Sequence, residues 1–164
     1  MPDLSDKIRA ETDAYRNRAM TLLEGQKTMV LAVNMGNAPW VAPVYYVYVR
    51  PGIYFFSSPR SFHIQALQTC GQSAGAIYAD SDQWQDIGGL QMSGTVEEIR
   101  APVKKLNITS HYLAKFPFAR RMLSVEMKKI PSLSRNVGLY VFRPLQVYCL
   151  DNQLGFGRRV PIAL

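Results

Sequence analysis

The sequence has few of the residues that bind metals or staple a small fold. It contains only two cysteines and two histidines among 164 residues. Cys70 and Cys149 form no CxxC pair and show no metal-ligand spacing. Free thiols in this arrangement indicate a reducing compartment rather than a disulfide framework or a structural zinc site. We therefore expect no bound metal.

Long apolar runs are also missing. The longest, PWVAPVYYVYV at residues 39–49, is well short of the roughly 20 residues that a membrane helix needs. The N-terminal segment is charged throughout and does not have the pattern of an export signal. Hydrophobic residues make up 48% of the chain and charged residues 19%, which is typical of globular proteins. We expect a soluble, cytoplasmic protein that folds as one domain over residues 1–164.

Several motif classes are absent as well. There is no GxGxxG, no P-loop and no βαβ repetition, so any nucleotide site is not of the Rossmann type. The net charge of +7 arises in residues 83–164, where basic residues come as scattered doublets without a nucleic-acid-binding signature. This pattern favours a solvated or phosphate-attracting surface over a nucleic-acid partner. Binding to a polyanion stays open as an alternative and would weaken steeply with salt.

Hydrophobic periodicity and turn residues predict the secondary structure. The segment 1–25 is an amphipathic N-terminal helix, and 26–164 form a barrel with inserted helices. Strands are predicted at 27–33, 39–49, 53–56, 73–80, 90–99 and 137–150, and helices at 62–69, from 102 onward and at 116–123. The second of these helices places Val103, Leu106, Ser110 and Leu113 on one face. The aromatic runs YYVYV and FPF are expected in the core.

The succession of short strands joined by tight turns predicts a mainly β (α+β) fold, an antiparallel barrel that is closed or nearly closed, with peripheral helices. Within the strand LQMSGTVEEI, apolar and polar residues alternate, so Gln91 lies on the polar face. Gly94 in the middle of this strand is typical of a β-bulge or of a close approach by another group.

One strand-to-helix junction, FFSSPRSFHIQAL, concentrates polar side chains. It holds Ser57, Ser58, Arg60, Ser61 and His63 within seven residues of sequence. Hydroxyl donors, a cation and a helix N-terminus are the groups that bind a phosphate monoester. Alternatively, Ser61 is an ordinary N-cap and its neighbours are solvated. The residues themselves leave both interpretations open.

Three segments carry a family resemblance. The strand end IYFFSS, the following S-x-H and the later GLQMSG resemble the pyridoxamine 5'-phosphate oxidase-like, FMN-binding split-barrel superfamily. The segments GLQMSGTVEEI, FPFARRML and DNQLGFGRR resemble its YhbP-like branch. The resemblance covers the chain from about residue 20 onward. It implies a split β-barrel of antiparallel strands with peripheral helices.

The resemblance also implies roles for the junction. Ser57, Ser58 and Ser61 would hold the FMN phosphate. His63 occupies the position where the family commonly has Lys or Arg, so a residue without a fixed charge replaces a permanent cation. Arg60 could supply that cation instead.

Further roles follow from the same resemblance. Gln91 matches a polar strand residue that reaches the isoalloxazine ring, and Val44 and Tyr45 of the second strand would lie beside the ring. Since FMN in this superfamily usually sits between two subunits, the resemblance implies a homodimer. Arg158 and Arg159 would lie near the site, across that interface, or else belong to a solvated tail.

The resulting expectation is an FMN-binding flavoprotein, related to pyridoxamine 5'-phosphate oxidase, that acts as an oxidoreductase on a small molecule. No residue is identifiable as a catalytic acid or base, because the cofactor carries the chemistry. The alternative is a non-enzymatic flavin or haem binding protein. In the haem version, His63 and His111 are the available axial ligands.

Overall fold

The computed structural model describes residues 3–120 and 137–164. The predicted strands are all present, and one more, β7, follows in the tail. In chain order the elements are α1 (Leu4–Gly25), β1 (Thr28–Met35), β2 (Ala38–Val49), β3 (Gly52–Ser57), α2 (Phe62–Cys70), β4 (Gln72–Tyr78), a 3₁₀ turn (Trp84–Asp86), β5 (Gly88–Glu98), α3 (Pro102–Lys115), β6 (Gly138–Asp151) and β7 (Arg159–Pro161). Of the helix predicted at 116–123, residues 118–120 are helical, and the predicted remainder, 121–123, lies outside the described residues.

The strands form one antiparallel sheet that closes on itself. Their order is β3-β2-β1-β4-β5-β6-β7, and an additional pairing joins β3 to β6. This pairing makes a ring of β1, β2, β3, β6, β5 and β4, with β7 added outside the ring against β6. The mainly β, antiparallel barrel expected from the sequence is confirmed. Within the ring, β2 and β5 lie on opposite sides.

The barrel interior is filled by the alternate apolar residues of each strand, as the pleat requires. Met29, Leu31 and Ile53 are fully buried there. Helix α1 covers this core with a face that includes Tyr15 and Leu23. None of the described helices is both long and apolar enough to cross a membrane.

A hydroxyl ties α1 to the barrel. Tyr46 Oη of β2 donates to the carbonyl oxygens of Leu22 and Leu23, at 3.3 and 2.9 Å. These carbonyls lie in the last turn of α1, and that of Leu22 also accepts a hydrogen bond from the Gln26 N–H at 3.0 Å. The contacts of Tyr46 therefore fix the position of the helix end on the barrel.

Helix α3 packs on the outside of the barrel. It buries Ile108 and Tyr112 against outward-facing residues of β2, β3 and β6, including Val47 and Val141. The face predicted to be shared by Val103 and its partners is not the buried one, since Val103 is 83% exposed. The apolar residues at 108, 112 and 116 form an alternative stripe with a spacing of four residues.

Another part of the outer surface is lined by small side chains. The cross-strand register pairs Val30 with Ala76 and Ala32 with Ala74 on neighbouring strands β1 and β4. All four side chains point away from the buried core residues and remain partly or fully exposed. We call Val30, Ala32, Ala74 and Ala76 the small-residue face.

A bulge interrupts the pairing of β5 with β6. The register shifts between Ser93 and Gly94, as the isolated glycine predicts. A Cβ atom at Gly94 would lie 2.2 Å from the carbonyl oxygen of Arg143. The bulge therefore depends on the absence of a side chain at this position.

We expect Gly94→Ala to lower the free energy of unfolding by about 1–3 kcal/mol, because the added methyl group meets backbone that cannot move independently. Gly25→Ala is the matched control, since no atom lies within 4 Å of the added Cβ. The control should stay within about 0.5 kcal/mol of wild type or be stabilising. Denaturant unfolding measures both, and equal stabilities for the two variants would contradict the packing argument.

Candidate functional site

The junction between β3 and α2 has an unusual cap. Ser61 occupies the N-cap position with extended backbone angles, but its side chain makes no capping hydrogen bond. Instead, Ser61 Oγ donates to the carbonyl oxygen of Ser58 at 2.7 Å. The amide N–H groups of the first helical residues, Phe62 and His63, therefore receive no help from the cap side chain.

Three side chains of the junction meet at one point. Ser57 Oγ lies 2.7 Å from His63 Nε2 and 3.1 Å from Ser61 Oγ. Ser61 Oγ is 3.2 Å from the same ring nitrogen. We call Ser57, Ser61 and His63 the hydroxyl cluster. The ordinary-cap interpretation does not explain why these groups face each other.

Two members of the cluster, Ser57 and His63, line a pocket of about 350 Å³. The pocket walls come from β2, β3, the junction, α3 and the segments beside the undescribed residues. The described lining residues are Pro43, Val44, Tyr45, Phe56, Ser57, Ser58, His63, Tyr112, Phe118, Ala119 and Val137. Val44, Tyr45, Ser57, Ser58 and His63, all predicted as site residues, thus line one space.

Aromatic rings that contact each other line the pocket. The Tyr45 ring centroid is 5.5 Å from that of Phe118, in an edge-to-face arrangement. The Phe56 and Tyr112 rings are 4.9 Å apart, again edge to face. Such contacts hold aromatic side chains in defined orientations, so this pocket can present flat apolar surfaces to a ligand.

Burial sets the charge state of the cluster. Desolvation lowers the pKa of His63 below its usual value, so the imidazole is neutral near pH 7. Desolvation, with a smaller contribution from Tyr45, raises the pKa of Tyr112 to about 12. No Asp or Glu is present among the described lining residues. An anion entering the pocket would meet hydroxyl and N–H donors without a carboxylate to repel it.

Two other hollows lack this combination. One of about 420 Å³ lies between β6 and the C-terminal segment, and one of about 510 Å³ lies over β1, β4 and β5. Among their described lining residues there is no histidine and no cation. A choice of site by cavity volume alone would therefore favour hollows that lack these anion-binding groups.

The predicted arginines lie outside the pocket. Arg60 is exposed and is not among the described lining residues, although its backbone N–H donates to Ser58 Oγ at 3.2 Å. Arg158 forms an ion pair with Glu11 of α1. Neither side chain replaces the fixed cation that His63 lacks within a single chain.

Gln91 also lies away from the pocket. It is exposed on the outer face of β5, on the side of the ring opposite β2. Its side-chain oxygen, Oε1, accepts a hydrogen bond of 3.1 Å from Arg159 Nε of β7. A single chain therefore does not bring Gln91 together with the hydroxyl cluster.

Sequence reasoning did not assign Phe56, Tyr112 and Phe118 to the site. The FPF run was expected in the core, and Phe116 is indeed buried, but Phe118 is 50% exposed beside the pocket. The available signal was the apolar spacing of four residues that runs from Ile108 through Tyr112. A prediction from that spacing would have placed Tyr112 on the face of α3 that packs against the barrel.

The neutral state of His63 has a measurable consequence. Its folded-state pKa is lowered, so the unfolded chain takes up a proton at higher pH than the folded protein. As the pH falls below about 6.5, the usual histidine value, wild type should lose more stability than His63→Gln, which cannot titrate. Unfolding midpoints at about pH 7 and about pH 5 test this. Parallel losses in both proteins would show that the His63 environment is not desolvating.

Comparisons with known proteins agree on the architecture. No family model matches the chain. The UPF0306 protein of Cronobacter sakazakii is 26% identical over 140 residues, which cover 84% of this chain and 88% of that protein.

Solved structures extend the comparison. A haem-binding protein from Mycobacterium smegmatis matches with a TM-score of 0.67 at 17% identity, over 99% of this chain and 58% of that one. A FAD-binding protein from Mesorhizobium loti matches at 0.60 and 19%, over 80% and 90%. A candidate pyridoxamine 5'-phosphate oxidase from Listeria innocua matches at 0.64 and 14%, over 84% and 98%. This chain therefore has the split-barrel fold of the pyridoxamine 5'-phosphate oxidase-like proteins.

Proposed function

We propose that the protein binds FMN non-covalently in the aromatic-walled pocket and acts as an oxidoreductase on a small molecule. The observation that carries this proposal is the hydroxyl cluster at the N-terminus of α2. It combines the Ser57 hydroxyl and a neutral imidazole with the amide groups of a helix start that the cap side chain leaves unpaired, which suits a phosphate monoester.

The remainder of the pocket suits the ring system of a flavin. Its volume of about 350 Å³ falls within the usual range for small-molecule sites, about 300–1,000 Å³. Phe56, Tyr112 and Phe118 provide apolar contact area, while Ser57 and Ser58 mark the polar end. A ligand with a flat apolar body and a phosphate at one end matches this division.

The proposed chemistry belongs to the cofactor. When bound, FMN supplies the electron transfer, and the protein binds and orients the ring. The described lining residues include no carboxylate that could serve as a general base. A FAD-binding protein and a candidate pyridoxamine 5'-phosphate oxidase share the fold, which supports a flavin-type ligand.

Haem binding is the second candidate, and one observation favours it. His63 is neutral and half-buried, and it lines an aromatic pocket, as an axial haem ligand would. A haem-binding protein shares the fold. Against haem, the His63 Nε2 atom already contacts Ser57 and Ser61. The flavin proposal leaves His63 Nε2 beside these hydroxyls, whereas iron ligation through Nε2 would displace them.

The phosphate site can be tested by comparing FMN with riboflavin, which lacks the phosphate. We expect Ser57→Ala to weaken FMN binding about tenfold, the cost of one hydrogen bond to a charged group, and to leave riboflavin binding nearly unchanged. Ser110→Ala on α3 removes an equally small hydroxyl whose partner is Asn107, and it should bind both ligands like wild type. Fluorescence quenching titrations give all the dissociation constants.

Different results would point elsewhere. Equal losses for FMN and riboflavin would place the phosphate away from Ser57. No quenching of either flavin, together with a Soret band on haem addition that disappears in His63→Ala, would replace the flavin proposal by the haem one.

We further propose that the protein is a homodimer packed through the small-residue face. In the register across the sheet, Pro43 of β2 aligns with Val30, then Ala76, then Gln91 of β5. One outer row thus runs from the pocket edge to Gln91. Small side chains in its middle allow a second copy to approach closely.

A two-fold axis parallel to the strands, between β1 and β4, would exchange the positions of β2 and β5. The partner's β5 would then face the β2 edge of the pocket. This arrangement would bring Gln91 of the partner subunit to the flavin ring, which a single chain does not do. It supports the expectation that two subunits complete each site.

Ala74 is exposed on this face, so Ala74→Arg should leave the fold intact and introduce a charge into the proposed interface. We expect it to produce monomers and to weaken FMN binding at least tenfold, since a desolvated unpaired charge costs several kcal/mol. Val103→Arg, at an exposed position on α3, is the control and should remain dimeric. Sedimentation velocity measures the assembly, and a dimeric Ala74→Arg protein would rule out this interface.

A further inference from the structure

We infer that Arg159 fixes the orientation of the Gln91 side-chain amide, so that Gln91 presents its NH₂ group to the flavin of the partner subunit and favours the reduced cofactor. This inference rests on the proposed function, both the flavin and the dimer. It assigns Arg159 as a positioning residue, because it acts through Gln91.

The contact between the two side chains has only one chemically sensible orientation. Arg159 Nε donates to Gln91 Oε1 at 3.1 Å. A guanidinium group has five donors and no acceptor, so the oxygen of the amide must face it. The Gln91 NH₂ group consequently points away from Arg159. Without Arg159, the amide could turn over and present its oxygen instead.

The strand pairing holds Arg159 in place. Arg159 pairs with Leu150 of β6, and Leu150 pairs with Gly89 of β5, two residues before Gln91. The guanidinium also donates from Nη1 to the carbonyl oxygen of Gly157 at 3.3 Å. The neighbouring Arg158 forms an ion pair with Glu11 instead. Of these two arginines, Arg159 is therefore the one that contacts Gln91.

Orientation of this amide matters because the two redox states of flavin differ in charge. The oxidised ring is neutral, whereas the reduced ring at neutral pH carries negative charge on its pyrimidine edge. A hydrogen-bond donor beside that edge stabilises the reduced form more than the oxidised form, and an acceptor does the opposite. In this proposal the Gln91 NH₂ group lies beside that edge, so the oriented amide should raise the reduction potential of bound FMN.

The experiment is a double-mutant cycle on the midpoint potential of bound FMN, measured by spectroelectrochemistry. The proteins are wild type, Arg159→Gln, Gln91→Leu and the double variant. In Arg159→Gln we expect the preference for reduced over oxidised FMN to fall about tenfold, which is about 30 mV for a two-electron couple. In the Gln91→Leu background the same Arg159 change should have little further effect, because the amide it positions is gone.

Arg143→Gln is the matched control. Arg143 of β6 also donates from Nε to a side chain of β5, Glu97 Oε2, at 3.0 Å, and its loss removes the same charge. It should leave the potential unchanged.

Each other outcome counts against the inference. Equal potentials for wild type and Arg159→Gln, with FMN bound to a dimer, would overturn the inference and leave the proposed function standing. An equal shift in both backgrounds would show that Arg159 acts by its charge alone, which also overturns positioning through Gln91. Failure of wild type to bind FMN would overturn both.

Discussion

The pairing of β3 with β6 is the constraint on which the remaining structure depends. These strands are far apart in sequence, and their antiparallel ladder closes the barrel and ends where Ser57 pairs with Gly138. Ser57 is therefore held against β6 until the chain leaves the sheet, whereas the pairing of β3 with β2 ends at Phe55. The next four residues turn directly into α2. Barrel closure thus places the hydroxyl cluster on a rigid strand end rather than on a free loop.

Two regions of the outer barrel surface differ in what covers them. Helix α3 covers the part over β2, β3 and β6. Its residue Tyr112 lines the pocket, and Phe116, which follows the helix, contacts the ring of Tyr45. The small-residue face over β1 and β4 keeps its side chains short. Pro43 and Tyr45 line the pocket. Because Pro43 pairs with Val30 of the small-residue face, a ligand in the pocket would lie next to the surface that we propose as the subunit interface. Ligand binding and assembly would then stabilise each other by mass action.

Sequence reasoning succeeded where the deciding interactions are local. Strand alternation, turn residues, the bulge at Gly94 and the polar junction all depend on neighbours in the chain, and they predicted the fold and the position of the hydroxyl cluster. It failed where contacts between elements that are far apart in the chain determine the structure. The buried face of α3 is determined by contacts with β2, β3 and β6. The periodicity of the helix predicted the stripe of Val103 and Leu106, whereas Ile108 and Tyr112 are the residues that pack. The distance between Gln91 and the pocket follows from barrel closure, which no local pattern contains.

The neutral state of His63 limits how the pocket can attract a phosphate. A neutral imidazole supplies one directed hydrogen bond, and the described lining residues hold no fixed cation. Close-range binding must therefore rely on hydroxyl donors and the helix N-terminus, which are weak individually and demanding in geometry. Long-range attraction can still come from the net charge of +7, but at physiological salt it is screened beyond about 8 Å. Selectivity for the phosphate and attraction toward it would thus reside in different parts of the molecule, and only the attraction would depend strongly on ionic strength.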